Sequence, residues 1–258
     1  MLLAFDVGNT TIAIGLFRGQ TLVKSWKIRT DNDKTSDEYG AILLNLMQFA
    51  GLAAGKITGA IISSVVPPLT PAIEELCRAY FGTTASVVGP GLKTGMPILY
   101  ENPLEVGADR ITAAVAAFEK YGGPVIVLDF GTATTFDAVS AKGEYLGGAI
   151  APGIQISAEA LYLKTAKLPR IEIRKPKRAI GRTTVSSMQS GLYFGYIGLV
   201  TRTIEEIRKE LGPNARVVAT GGFGSQVASE IAEIEAYEPD LVLEGLRIIH
   251  DRNRDARD

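Results

Sequence analysis

Leu2-Leu3-Ala4-Phe5-Asp6-Val7-Gly8-Asn9-Thr10-Thr11-Ile12-Ala13-Ile14-Gly15-Leu16-Phe17 reads as an apolar run, a carboxylate, a glycine, paired threonines and a second apolar run. The same order recurs much later, as Val125-Ile126-Val127-Leu128-Asp129-Phe130-Gly131-Thr132-Ala133-Thr134-Thr135 followed by Phe136 to Val139. Runs of four to eight β-branched and aromatic residues bounded by Gly and Asp are strand signals. Each copy continues into a glycine turn, at Gly19 or Gly143, and a third short strand. Two copies of one strand–Asp–loop–strand unit predict a duplicated domain, the second starting near Tyr121-Gly122-Gly123. Two such halves facing each other would leave a cleft lined by both Asp-Gly loops.

The residues between and after the copies alternate strand and helix patterns. Thr35-Ser36-Asp37-Glu38 has capping-box spacing, and Ile42, Leu43, Leu46 and Phe49 follow at helical intervals. Ile57 to Val66 is a β-branched run stopped by Pro67-Pro68. A helix is expected over 71–81, a short strand over 85–88, and a helix over 111–121. Thr184 to Leu211 reads as one long or broken helix whose first half, with Tyr193, Phe194, Tyr196 and Ile197, is apolar on more than one side. Such a helix must be buried in the domain or in a partner. Val217-Val218-Ala219 runs into Thr220-Gly221-Gly222-Phe223-Gly224, with an amphipathic helix expected from Ser225. Strands and helices in this order argue for a mixed α/β fold.

Composition narrows the function. The chain of 258 residues suits two compact domains of roughly 100–150 residues each, and the expected boundaries are 1–115 and 116–258. Its 27 Lys+Arg against 28 Asp+Glu leave a formal charge of −1, which gives no reason to expect nucleic acid as a partner. No apolar run approaches a membrane span, so the expectation is a cytoplasmic protein. One cysteine, Cys77, excludes a disulfide framework and reads as a core residue, and a single histidine, His250, leaves no zinc cluster and reads as a surface residue. Six basic residues against Glu172 between Arg170 and Arg182 read as a solvated loop.

The loops carry the chemistry. A strand running into Gly and hydroxyl residues bares backbone N–H groups suited to phosphate oxygens. A carboxylate beside them needs a cation between, most simply the Mg²⁺ of a nucleotide, and Asp6 is the natural ligand. The residues alone leave open that Asp6 and Asp129 only accept turn hydrogen bonds. A P-loop, a dinucleotide fingerprint and a Gly-x-Ser-x-Gly elbow are all missing.

Asp6-Val7-Gly8-Asn9-Thr10-Thr11, Gly107-Ala108-Asp109-Arg110, Asp129-Phe130-Gly131-Thr132-Ala133-Thr134-Thr135 and Thr220-Gly221-Gly222 together resemble type III pantothenate kinases. These belong to the superfamily of acetate kinase, sugar kinases, heat-shock chaperones and actin. Gly147 to Gly153 and Leu243-Glu244-Gly245-Leu246 extend the resemblance nearly end to end. It implies duplicated actin-like, ribonuclease H-like domains, each a mixed sheet flanked by helices. It further implies ATP-dependent phosphorylation of the 4′-hydroxyl of pantothenate, the first step of coenzyme A biosynthesis, by a homodimer.

By that resemblance Asp6, Val7, Gly8, Asn9, Thr10, Thr11, Ile12 and Ala13 form the ATP phosphate loop, and Thr132 also contacts ATP. Tyr100, Gly107, Ala108, Asp109, Arg110 and Thr184 would hold pantothenate, with Asp109 as proton acceptor; a slip of one residue would put Thr183 in place of Thr184. Asp129 would bind a monovalent cation, K⁺ or NH₄⁺. Read from the residues, Asp109 is either a helix N-cap or a carboxylate kept ionised by a helix start and by Arg110, able to take a hydroxyl proton. The alternatives are another small-molecule kinase on the same fold and a non-enzymatic accessory factor of transcription.

Overall fold

The computed structural model describes residues 1–254, and it resolves the chain into two compact units. The first comprises Met1–Glu119 together with the segment from Asp240, and the second Lys120–Pro239. The terminal helix, however, expected in the second domain, belongs to the first.

The first unit opens with strands β1 (Leu2–Val7), β2 (Thr11–Arg18) and β3 (Thr21–Arg29), followed by helix α1 (Ser36–Phe49), β4 (Gly59–Ser64), α2 (Thr70–Phe81), β5 (Ala85–Val87) and α3 (Ala108–Tyr121). The second unit repeats the order. Its strands β6 (Val125–Phe130), β7 (Ala133–Val139) and β8 (Tyr145–Pro152) lead through α4 (Ile154–Lys164) and α5 (Thr184–Leu211) to β9 (Arg216–Thr220). The short α6 (Gly224–Val227), β10 (Ala236–Tyr237) and α7 (Leu241–Arg254) complete the chain.

Strand order is β3-β2-β1-β4-β5 in one sheet and, read in the same sense, β8-β7-β6-β9-β10 in the other. Both sheets are antiparallel across the first three strands, and parallel from the central strand outward. The duplication therefore holds at the level of topology. It does not hold residue for residue in the loop. Val7 pairs with Ile12 across four intervening residues, whereas Phe130 pairs with Thr134 across three. Thr134-Thr135 are consequently strand residues, and Thr134 is buried, while Thr10-Thr11 stand exposed. The paired threonines that made the repeat visible are not structural counterparts.

Local signals behave as the residue chemistry demands. Thr35 caps α1 reciprocally with Glu38: its N–H donates to Glu38 Oε2 at 2.9 Å, and its Oγ1 accepts from the Glu38 N–H at 3.3 Å. Leu3, Phe5 and Val7 of β1, with Ile12, Ile14 and Leu16 of β2, point to one face and pack under Leu43 and Met47 of α1 and Ile73, Leu76 and Cys77 of α2. Burial pushes the Cys77 thiol up to about 12, which leaves it inert.

On the opposite face α7 returns across β1, β2 and β4. At Gly245 an added Cβ would fall 2.0 Å from the Thr112 carbonyl oxygen, so α3 and α7 approach more closely there than any other residue permits. His250 is half-buried over Gly59 rather than a surface residue. In the second unit Ile126, Leu128, Phe130 and Phe136 pack against Tyr193, Tyr196, Val200 and Ile204 of an unbroken α5. The helix expected from Ser225 is a single turn. Among the described residues no helix is long and apolar enough to cross a membrane.

Candidate active site

At the carboxyl end of β1 the chain reverses through Gly8-Asn9-Thr10. The Gly8 N–H donates to the Thr11 carbonyl at 3.1 Å. Thr30 ties the loop to β3: its N–H donates to the Thr10 carbonyl at 3.0 Å, and its hydroxyl to the Gly8 carbonyl at 2.6 Å. With those carbonyls occupied inward, the side chains of Asn9, Thr10 and Thr11 remain exposed. The Val7 and Ile12 side chains are buried in the core, so these two positions can serve a ligand only through their backbone. Asp6 and Ala13 are opposite each other and half-buried on the other face of the sheet.

The Gly107–Arg110 element lies at the same end of this unit. The Val65 N–H, just beyond β4, donates to the Val7 carbonyl at 3.0 Å, and a Cβ on Gly107 would sit 3.5 Å from Val65 Cγ1. That hypothetical Cβ would be only 2.5 Å from Asp109 Oδ1, so the carboxylate folds back over Gly107. Helix α3 begins at Ala108, which puts Asp109 inside its first turn rather than at the cap. Its Oδ1 accepts from the Arg110 N–H at 2.8 Å.

Burial raises the Asp109 carboxyl above its ordinary range, and it outweighs the lowering by that bond and by the Arg110 charge. The residue as a whole is half-buried; its carboxyl group is the deeply desolvated part. The Arg110 charge favours the ionised form as expected, but the net shift is upward because desolvation is the larger effect. Tyr100 is half-buried in the connection between β5 and α3, in the same unit.

The second unit gathers a matching set. Asp129, next to last in β6, lies opposite Thr135 on one side and beside Thr220 of β9 on the other. The Gly131 N–H closes the loop on the Ala133 carbonyl at 3.1 Å, and Thr132 is exposed at its tip. Gly221 has φ +91°, and a Cβ there would lie 2.3 Å from Asp129 Oδ1. Only glycine can bring this turn so close to the carboxylate. Gly153 sits equally tightly on the loop, where a Cβ would be 2.3 Å from the Thr132 carbonyl oxygen. Behind the loop, the Thr134 and Tyr196 hydroxyls share a 2.6 Å hydrogen bond, and burial pushes the tyrosine up to about 12.

Thr183 and Thr184 differ in kind. The Thr183 hydroxyl caps α5, accepting from the Ser186 N–H at 3.1 Å, while Thr184 is exposed in the first turn. The basic segment before it forms neither helix nor strand, and Lys175 pairs with Glu230 at 2.6 Å. Sequence reasoning missed Ser63, buried on β4 next to Asp6 in register; a hydroxyl ending an otherwise apolar strand was the available signal.

The family model for type III pantothenate kinase matches residues 2–206. A type III pantothenate kinase of Syntrophotalea carbinolica is 55% identical over 98% of this chain and 100% of its own length. That of Geobacter sulfurreducens is 54% identical over 99% and 100%. The chain belongs to the type III pantothenate kinase family. The matched span takes in both Asp-Gly loops, Gly107–Arg110 and Thr184, and the full-length relatives extend the likeness through Thr220-Gly221-Gly222 and α7.

Solved structures add the fold. A candidate transcriptional activator of the Baf family from Campylobacter jejuni superposes with TM-score 0.62 at 19% identity, covering 98% of this chain and 99% of its own. The candidate N-acetylmannosamine kinase Lmo2764 of Listeria monocytogenes does so with TM-score 0.55 at 12% identity, covering 98% and 99%. The two units are thus actin-like domains of the kind found in sugar kinases.

The raised carboxyl of Asp109 has a consequence for stability. A group that holds its proton more tightly when folded weakens the fold as pH rises from its ordinary value of 3.8 through the raised one. Asp109→Asn keeps the acceptor for the Arg110 N–H and removes the buried charge. The variant should therefore have a higher urea midpoint than wild type at pH 7, with the difference shrinking toward pH 4. Equal midpoints across that range would contradict the burial argument.

Proposed function

We propose that the chain transfers the γ-phosphoryl group of ATP to the 4′-hydroxyl of pantothenate, giving 4′-phosphopantothenate in the first step of coenzyme A biosynthesis. The observation that carries this reading is the desolvated Asp109 carboxyl, in the first turn of α3 and at the same sheet end as the Gly8–Thr11 loop. A carboxylate with a raised pKa is a better proton acceptor at neutral pH than an exposed one. As the hydroxyl oxygen bonds to the γ-phosphorus and the bond to the β-phosphate oxygen breaks, Asp109 takes the hydroxyl proton. Arg110 beside it suits the pantothenate carboxylate, with Tyr100, Gly107, Ala108 and the exposed Thr184 hydroxyl completing the acceptor residues.

The loop from Asp6 to Ala13 is assigned to the ATP phosphates, with Thr132 in the second unit. The fit rests on the exposed Asn9, Thr10 and Thr11 side chains, the tight Gly8 turn, and the half-buried Asp6 carboxylate at the strand end. When bound with the nucleotide, Mg²⁺ neutralises charge on the transferring phosphates, and Asp6 is the residue that would hold it.

Among the described residues no group of three or more His, Cys, Asp or Glu could hold a metal. A cation at the second loop would rely on one carboxylate and neutral oxygens, which suits a weakly hydrated monovalent ion. Asp129, hemmed in by Gly221 and Gly131, is its proposed ligand.

A homodimer is part of the proposal. Tyr193 and Tyr196 face the core, so the outer face of α5 is instead carried by Gly191, Phe194, Gly195, Gly198 and Leu199. A Cβ at any of the three glycines would meet nothing within 4 Å of its own chain. Each glycine costs a helix interior about 1 kcal/mol relative to alanine, and no packing inside the protomer offsets that cost. Close approach of a second copy would. Helix α4 adds Ile156, Tyr162 and Leu163 to the exposed apolar surface. The proposed location is the cytoplasm, and neither nucleic acid nor membrane is a proposed partner.

Three measurements test these assignments. ATP consumption should depend on added pantothenate, and Asp109→Asn should keep ATP binding while kcat falls roughly 10²- to 10⁴-fold; wild-type kcat in the variant would end the proton-acceptor role. Rates in K⁺ or NH₄⁺ buffer should exceed those in Na⁺ buffer of equal ionic strength, and Asp129→Ala should blunt the difference, whereas equal rates in all three would remove the monovalent site. Light scattering should give twice 27.5 kDa, with Gly195→Glu shifting the mass toward one protomer. A monomeric wild type would overturn the dimer.

A further inference from the structure

Among the described residues, only Ser63 Oγ and Arg247 Nε are buried side-chain polar atoms with no hydrogen-bond partner. Ser63 is fully buried near the end of β4, where an unsatisfied hydroxyl is costly. Its neighbour shows what a serine there ordinarily does. Ser64 Oγ donates to the Val66 carbonyl at 3.3 Å, and accepts from the Val66 N–H at 3.2 Å and the Thr70 hydroxyl at 2.9 Å.

The place of Ser63 in the sheet gives the orphan hydroxyl a meaning. Asp6 and Ser63 are partners in the parallel β1–β4 ladder, where strands run roughly 4.8 Å apart. Leu3, Phe5 and Val7 of β1, and Ala60 and Ile62 of β4, all face the core under α1 and α2. By strand alternation Asp6 and Ser63 share the other face, side by side. The second unit repeats the pairing: Asp129 has Thr220 as its partner in the parallel β6–β9 ladder, and Thr220 is also buried. Both copies thus set a hydroxyl residue on the adjoining parallel strand, level with the loop carboxylate.

We propose that Ser63 is a positioning residue for Asp6, its hydroxyl held ready to donate to one carboxylate oxygen and leave the other turned toward the nucleotide-bound divalent cation. This rests on the assignment of Asp6 to the nucleotide–metal site. The hydroxyl has no partner among the protein's own groups, so its burial weakens the fold, and its gain is realised only when Asp6 is drawn into its binding orientation.

That separation of stability from binding supplies the test. Ser63→Ala removes a hydroxyl with no partner, so the melting temperature of the ligand-free protein should equal or exceed that of wild type. Calorimetric affinity for Mg·ATP should nevertheless fall roughly 10- to 150-fold, the scale of one hydrogen bond to a charged group, with KM for ATP rising in step and kcat changing less. Asp6→Asn should weaken Mg·ATP binding more, and Ser63→Ala added to it should have no further effect.

Unchanged Mg·ATP affinity in Ser63→Ala, beside a weakened Asp6→Asn, would overturn the role of Ser63 and leave the Asp6 assignment standing. Unchanged affinity in Asp6→Asn would overturn both. A lowered melting temperature in Ser63→Ala would show an ordinary structural serine and equally overturn the proposal.

Discussion

The rest of the structure depends on a conflict at the end of each central strand. β1 and β6 must each turn back at once into an antiparallel neighbour while remaining paired, on the other side, with a parallel strand that arrives through a helix. The reversal leaves room for only three or four loop residues, closed by a glycine N–H on a nearby carbonyl at 3.1 Å in both copies. Because the antiparallel partner leaves and the parallel partner ends at the same level, a carboxylate on the last turn of the strand is left at an open sheet end. Ligand sites in α/β sheets fall at such points for this reason. Asp6 and Asp129 occupy this position in the two copies.

The two copies have diverged where their surroundings differ. In the first, Gly15 of β2 lies under Leu243 of α7, so this face of the sheet is apolar and closely covered. In the second, the corresponding strand carries Thr135 and the buried Asp137, whose carboxylate accepts from the Thr135 hydroxyl at 3.1 Å and the Tyr145 hydroxyl at 2.6 Å. A buried carboxylate survives there because hydrogen bonds replace lost hydration. One sheet face became a helix seat and the other a polar network. The helix that took the seat is α7, which explains why residues from Asp240 onward rejoin the first unit.

Much of this was legible in the residues, and the limits are physical. The Asp-x-Gly pattern within flanking strand runs revealed the duplication, because strand alternation and glycine turns are local. The capping box at Thr35 and the strand stop at Pro67-Pro68 were legible for the same reason. Loop length was not, since a one-residue difference moved Thr134-Thr135 into the strand without disturbing the pattern of residue types. The return of α7 and the seat of His250 on Gly59 were hidden because they are contacts between segments far apart in the chain. The tyrosines of α5 left open whether the domain or a partner covers them, because periodicity cannot tell a helix face covered by its own domain from one covered by a partner.

Asp109 shows how far charge can be read without burial. Its neighbours in sequence, a helix start and an arginine, both favour the ionised carboxylate, and taken alone they predict a low pKa. Folding adds what the local sequence does not contain: Gly107 lets the carboxylate fold back over the backbone, next to Val65. There the loss of water outweighs both favourable charges. A residue serving as proton acceptor gains from that balance. The Arg110 charge and N–H both favour the ionised form and so oppose the rise that burial causes. Gly107, which lets the carboxylate fold back into its desolvated place, and Arg110, which favours its charge, therefore act on the same group in opposite directions.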